Sequence, residues 1–251
     1  MTSAKYKLVV NPDYAWAKPE IESWIKNGMP DDAEIIFKER NTVYRIKRDG
    51  QSMIVKSFRL PNAINKVVYT RLRKSKAYRS YYNSQHLIEL GFLSPTPIAY
   101  AEVKRGGLLA ESYYISAEVP GDNIRNWEKK PHLENLLEAL AADLYRLHEA
   151  GVWHKDFSPG NVLYTGNPKD GYTFNYIDVN RMEFGVHDRK KLMSMFRSIN
   201  ENPQYTAKFA RYYAKASGMP ESVVIREAAQ AQAQYFAEQR RKRTFKKLFK
   251  F

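Results

Sequence analysis

Residues 154–161 read His-Lys-Asp-Phe-Ser-Pro-Gly-Asn, and no other stretch constrains the chain as much. Pro159-Gly160, between Asp156 and Asn161, suits a tight turn. A histidine, an aspartate and an asparagine at fixed spacing also arise by chance in surface loops, so the flanking sequence decides. Upstream, Leu133, Leu136, Leu137, Leu140, Leu144 and Leu147 recur at helical spacing and mark one apolar helix face. Gly151 ends that helix, as a glycine at a helix terminus often does. Downstream, Val162-Leu163-Tyr164 reads as a strand, residues 166–171 as a turn, and Tyr172 to Ile177 as a second strand that delivers Asp178. The order is helix, loop, strand, turn, strand, aspartate.

A third element lies earlier. Met53-Ile54-Val55-Lys56 places a lysine at the end of an apolar, β-branched run. A lysine after a strand is ordinarily a solvated surface residue. Here three elements follow one another in the order of the protein-kinase fold, whose catalytic loop is H-x-D-x-x-x-x-N and whose strand lysine closes a Val-Ala-Ile-Lys run. In that pattern Asp156 reaches the acceptor hydroxyl, Asn161 and Asp178 hold magnesium on ATP, and Lys56 contacts the α- and β-phosphates. His154 reads as a scaffold residue bracing the loop. The usual Asp-Phe-Gly is replaced by Asp178-Val179-Asn180.

The segments 38–43, 55–58, 90–98, 154–163 and 177–181 resemble the lipopolysaccharide kinase family, whose members phosphorylate Kdo or heptose of the lipopolysaccharide core. The resemblance covers roughly residues 35–200 and is strongest at the catalytic loop and the Asp178 segment. It implies an α+β, protein-kinase-like two-lobed fold, with a small β-rich N-lobe and a larger, mainly helical C-lobe. It also implies ATP and magnesium as cofactors and a sugar hydroxyl as acceptor.

Composition is compatible with this. A chain of 251 residues with 43% hydrophobic content can bury a substantial core. No apolar run reaches 18 residues, and residues 1–10 lack a signal-peptide pattern, so a cytoplasmic protein is expected. Zero cysteines exclude disulfides, thiol catalysis and cysteine-ligated zinc, and the five histidines show no paired metal-ligand spacing. Residues 1–118 read as the N-lobe: an aromatic lead-in, strands around a turn at Asp49-Gly50, a helix from about Lys76 to Leu90, then strands near 98–104 and 108–117. Residues 119–251 form the C-lobe with the catalytic loop, metal site and basic tail. Glu118 and Val119 are the hinge candidates, where backbone groups of kinase-like folds pair with adenine. An ordinary edge strand is the alternative.

Three features depart from the pattern. No glycine-rich loop precedes Lys56. The matching turn is residues 38–43, where Asn41, tolerant of left-handed angles, would cover phosphates; a plain hairpin is the alternative. The helix glutamate that pairs with the strand lysine is missing, since its position falls at about Ser80, with neutral Asn83 and Gln85 nearby. Lys155 replaces the arginine of His-Arg-Asp.

The chain after Asp178 bears on the choice of acceptor. No Ala-Pro-Glu occurs, and a helical pattern with Leu192, Met195, Phe196 and Ile199 on one face starts by about Asp188. So short a connection leaves little chain for a peptide platform and favours a small or membrane-borne acceptor. A protein kinase, and a pseudokinase serving as a binding module, are the rival classes.

The formal net charge of +14 attracts anionic partners, here an anionic sugar or glycolipid. Residues 66–79 carry Lys66, Arg71, Arg73, Lys74, Lys76 and Arg79 without an acid. Residues 240–251 carry seven lysines and arginines without an acid, and Phe245, Leu248 and Phe249 would share one helix face. Such a tail can lie on an anionic membrane, which would place the protein at the inner face of the cytoplasmic membrane; a solvated terminus is the alternative. Nucleic-acid binding fits the charge, but no recognition motif supports it.

Overall fold

The computed structural model describes residues 5–58 and 74–248 and divides into two compact units, Met1–Val119 and Pro120–Phe251. Lys66, Arg71 and Arg73 of the first basic cluster and Phe249 of the tail lie outside the described residues.

The N-terminal unit is built on a six-stranded antiparallel sheet. Its elements in chain order are β1 (Lys5–Val10), α1 (Lys18–Asn27), β2 (Glu34–Lys38), β3 (Asn41–Arg48), β4 (Gln51–Phe58), α2 (Lys76–Glu89), β5 (Pro97–Arg105) and β6 (Leu108–Ala117). The strand order is β1-β5-β6-β4-β3-β2. The turn at Asp49-Gly50 has φ of 48° and 76°, the double left-handed geometry that matches the twist of a two-residue hairpin. Ser75 starts α2 by accepting from the Tyr78 N–H at 3.0 Å.

The aromatic lead-in is ordered. It forms β1, a 3₁₀ turn over Pro12–Ala17, and α1. β1 runs along β5 from Lys5 opposite Lys104 to Val10 opposite Ala99, and covers that border of the sheet. Ile21 and Trp24 of α1 pack with Ile46, Met53, Val55, Ile98 and Ile115 into one core. On the face toward α2, Phe58, Ala77, Tyr81 and Tyr100 form a second cluster.

The C-terminal unit is mainly helical. It contains β7 (Asp122–Asn123), α3 (Leu133–Glu149), β8 (Trp153–His154), β9 (Val162–Asn167), β10 (Gly171–Tyr176), β11 (Met182–Glu183), α4 (Arg189–Met193), α5 (Pro203–Ser217) and α6 (Glu221–Leu248). Five leucines of the α3 stripe, Leu136, Leu137, Leu140, Leu144 and Leu147, are buried as their spacing requires. Each contributes about 1.5–3 kcal/mol. Gly151 turns the chain out of α3 at φ 67°. Asp188 caps α4, accepting from the Lys190 N–H at 2.9 Å. Leu192, Met195, Phe196 and Ile199 are all buried.

Two small sheets hold the loop between β8 and β11. β9 and β10 form a hairpin, with β7 on the other side of β9. β8 pairs with β11, setting Met182 opposite His154 and Glu183 opposite Trp153. The hairpin closes tightly at Gly166, where a Cβ would stand 2.0 Å from the Gly171 carbonyl oxygen. The early turns of α6 bury Val224, Ala228 and Gln232. Farther on, Arg240, Arg241, Lys242 and Arg243 are exposed, and Phe245 is 62% exposed. Among the described residues no helix is long and apolar enough to cross a membrane.

Candidate active site

The loop of residues 154–161 is tied from within. His154 is fully buried (0% exposed) at the end of β8. Its Nδ1 accepts the Asp156 main-chain N–H at 3.2 Å, so Nε2 carries the proton and donates to the Ile177 carbonyl at 3.3 Å. Burial holds the imidazole below its usual pKa, which favours the neutral tautomer this bonding needs. One ring thus fastens Asp156 to the residue before Asp178.

Asn161 completes the turn. Its side-chain amide donates to the Asp156 carbonyl at 2.8 Å, and its main-chain carbonyl accepts from the Ile177 N–H at 3.0 Å. The Ser198 hydroxyl donates to the Phe157 carbonyl at 2.6 Å from the segment after α4. Gly160 leaves room for Arg125: a Cβ there would come within 2.3 Å of the guanidinium Nε.

Asp178 ends the β10 segment in the left-handed region, φ 58° and ψ 38°. Aspartate tolerates that region better than most residues. The turn lets Asn180 donate from Nδ2 to Asp178 Oδ1 at 2.6 Å, while Asn180 Oδ1 is buried with no hydrogen-bond partner among the described residues. The same turn carries Arg181 back to Asp156, Nη1 to Oδ1 at 3.0 Å. Asp156 and Arg181 both remain partly exposed.

Arg181 escaped the sequence reading. Its only signal was an arginine three residues after Asp178, and the ion pair spans 25 residues. Among the described residues no three acidic or histidine side chains gather into a metal cage. Asp178 and Asn161, expected to hold magnesium, each carry a side-chain oxygen of the hard type. That fits magnesium, which keeps waters and takes phosphate oxygens in place of an all-protein cage.

The remaining predicted site residues belong to the N-terminal unit. Lys56 is half-buried in β4, opposite Val43 and Tyr114 on the neighbouring strands. Its Nζ lies 5.5 Å from the centre of the Phe58 ring. Where a helix glutamate would stand, α2 buries Ser80 and Ser84, and Ser84 shares a 2.9 Å hydrogen bond with the Tyr114 hydroxyl.

Two backbone expectations need correction. Asn41 is not left-handed; it is the first residue of β3, paired opposite Phe58, and its carbonyl accepts from the Glu39 N–H at 3.1 Å. The turn is a plain hairpin, because the ladder fixes Asn41 before its side chain can reshape the loop. Asn41 Oδ1 is nevertheless buried without a partner among the described residues. At Glu118 the main-chain N–H is already used: it donates to the Ser52 carbonyl at 2.9 Å and continues the β4–β6 ladder. The Glu118 carboxylate is engaged as well, 2.8 Å from Arg45 and bonded by the Ser52 hydroxyl. The Arg45 guanidinium holds it below the usual carboxylate range. Val119 lies just beyond this ladder.

A family model described as lipopolysaccharide kinase (Kdo/WaaP) matches residues 38–213. A 3-deoxy-D-manno-octulosonic acid kinase of Vibrio parahaemolyticus is 22% identical over 169 residues, 64% of this chain and 70% of that protein. The structure of WaaP in complex with acyl carrier protein matches with a TM-score of 0.60 at 19% identity, covering 94% of this chain and 98% of that one. An aminoglycoside 2′-phosphotransferase IIIa variant solved with GDP matches with a TM-score of 0.53 at 12% identity, over 87% of each chain. At such identities the structural likeness is one of fold: protein-kinase-like, with a β-sheet N-terminal region and a helical C-terminal region. With more than half its length matched by the family model, this chain belongs to the lipopolysaccharide kinase (Kdo/WaaP) family.

Proposed function

We propose that the protein transfers the γ-phosphate of ATP to a sugar hydroxyl of the lipopolysaccharide core, on Kdo or heptose, or of a related glycolipid. The observation that carries this reading is the His154 bridge, which fastens the Asp156 amide and the Ile177 carbonyl to one buried ring. It keeps a candidate base and a candidate metal ligand in register while leaving the Asp156 carboxylate partly exposed.

In this mechanism Asp156 orients the acceptor hydroxyl and takes its proton as the new P–O bond forms and the bond from the γ-phosphorus to the bridging oxygen breaks, releasing ADP. His154 stays neutral and braces the loop. Asn161 and Asp178 are the magnesium ligands. The ion, when bound, neutralises charge on the phosphates. Lys56 contacts the ATP phosphates. Because the Glu118 N–H is spent on Ser52, Val119 supplies the main-chain donor to the nucleotide base. The exposed basic end of α6 holds the enzyme on anionic lipid at the inner face of the cytoplasmic membrane.

The test is incubation with labelled ATP and magnesium, offering isolated lipopolysaccharide precursors beside a generic protein. Label in the glycolipid supports the reading. Label only in protein would replace it with a protein kinase, and nucleotide binding without transfer would make the chain a binding module.

A further inference from the structure

The Ser198 hydroxyl, next to Arg197, donates to the Phe157 carbonyl at 2.6 Å, so cations from three separate segments reach the loop that carries Asp156. Lys155 is its neighbour in the loop. Arg181 arrives from the Asp178 turn, 3.0 Å from Asp156 Oδ1. Arg197 comes from the 3₁₀ turn after α4; its guanidinium lies 5.9 Å from the ring centre of Trp153 and 5.9 Å from that of Tyr235. Lys191 also stands over the Trp153 ring, 4.7 Å from its centre, and is paired with Glu183.

Lys155, Arg181 and Arg197 are all half-buried. Their proximity is costly. Burial and then the charges of Arg181 and Arg197 hold the Lys155 ammonium below its usual range. The nearby acids are already engaged: Asp156 by Arg181, Glu183 by Lys191, and Asp178 by Asn180. A phosphorylated residue in the adjoining segment cannot supply the missing negative charge, because residues 179–188 contain no serine, threonine or tyrosine. The anion must come from outside the segment, and the place it would occupy adjoins the carboxylate proposed to meet the acceptor.

We propose that Lys155, Arg181 and Arg197 form an anion subsite for the acceptor, where a carboxylate or phosphate carried by the sugar seats and brings a neighbouring hydroxyl to Asp156. The subsite rests on the phosphotransfer reading for its purpose. On this proposal Arg181 has two states. Without acceptor it neutralises Asp156. With acceptor it turns to the incoming anion and frees Asp156 Oδ1 to accept the hydroxyl proton. Arg181 is then a positioning residue, and recognition of the acceptor charge is coupled to exposure of the base.

The test is calorimetric titration of the full chain, saturated with magnesium and a non-hydrolysable ATP analogue. One arm compares a ulosonic acid glycoside with its methyl ester. The other compares a hexose phosphate with its unphosphorylated parent. The unmodified protein should bind one acid at least about tenfold tighter than its neutral partner, the scale of charge-assisted hydrogen bonds, and the arm that discriminates identifies the anion. Lys155→Gln and Arg197→Gln should each cut the discrimination several-fold, and Arg197→Lys should restore part of it. Affinity for the ATP analogue should stay within about twofold, which also shows that the variants are folded.

Equal affinity for acid and neutral ligand in both arms overturns the subsite. So does undiminished discrimination in both glutamine variants, or loss of analogue affinity in parallel with the acid. The two readings can fail separately. Acid discrimination without label transfer to any glycolipid would leave the subsite standing and remove the kinase activity. Equal phosphorylation of acidic and neutral acceptors would do the reverse.

Discussion

Asn161 and Asp156 are joined by a hydrogen bond that does not use the aspartate carboxylate: the asparagine amide donates to the Asp156 main-chain carbonyl at 2.8 Å. The residue proposed to hold the metal therefore also shapes the loop that presents the base. Asn161→Asp would keep a magnesium-binding oxygen but turn an acceptor toward that carbonyl. Urea unfolding without nucleotide should show a loss of about 0.5–1.5 kcal/mol, the net worth of one partly buried hydrogen bond. Unchanged stability would mean that the bond does not hold the loop.

Asp156→Asn should separate chemistry from nucleotide binding. Transfer of labelled phosphate should fall about 10²–10⁴-fold, the contribution of a positioned general base. ATP affinity should hardly move, because the Asp156 carboxylate pairs with Arg181 and no metal ligand is changed. Full turnover would take the base role away from Asp156.

Lys56→Met should lower nucleotide affinity or turnover by about an order of magnitude or more, since a phosphate would lose its close cation in a partly desolvated site. Methionine fits the half-buried position on β4 without disturbing its pairing with β3 and β6. A nucleotide titration and a rate measurement on the same sample check this. If neither changes, the phosphate contact belongs to another basic residue.

Acid should destabilise the C-terminal unit through its buried histidines. Burial holds His148 at about 3, with its ring between the Tyr213 hydroxyl and the Met195 sulfur. The folded value lies below the unfolded one, so the unfolded chain binds more protons between them. Stability is therefore full above about pH 6.5 and falls as pH drops toward 3, by about 1.4 kcal/mol per pH unit for one group. His154 is lowered in the same direction by burial and adds to the effect. Urea unfolding between about pH 4 and 6 should give a shallower pH slope, by about one proton, for His148→Gln. An unchanged slope would remove His148 from the account.

Deleting residues 240–251 should weaken binding to anionic vesicles, and binding of the full chain should fall as salt rises. Activity on a soluble, lipid-free acceptor should change much less, because no proposed catalytic residue lies in that segment. Co-sedimentation of both proteins at two salt concentrations decides it. Equal sedimentation would make the basic end of α6 a solvated helix terminus.

Legibility in the sequence followed the range of the interactions. The α3 leucines and the β-branched run before Lys56 were readable because local period and composition determine them. So was the helix beginning at Lys76, started by the cap at Ser75. β1 was not, since Lys5-Tyr6-Lys7 breaks its apolar run and its partner is β5, about ninety residues on. Arg181 was missed for the same reason: its contact with Asp156 depends on a left-handed residue between two strands, and periodicity says nothing about such a residue. The spent N–H of Glu118 is a matter of ladder register, which fixes a hydrogen bond that the residue type does not reveal.

The left-handed backbone of Asp178 bears on how such a chain can evolve. Asparagine tolerates φ 58° as readily as aspartate, and the codons of the two differ by one base. A single substitution would remove the carboxylate and leave the turn, the strands around it and the neighbouring ion pair in place. On the proposed mechanism, transfer would cease while the shape survived. The distance from a working transferase to an inert look-alike in this family is then one point mutation, and the backbone would raise no barrier to it.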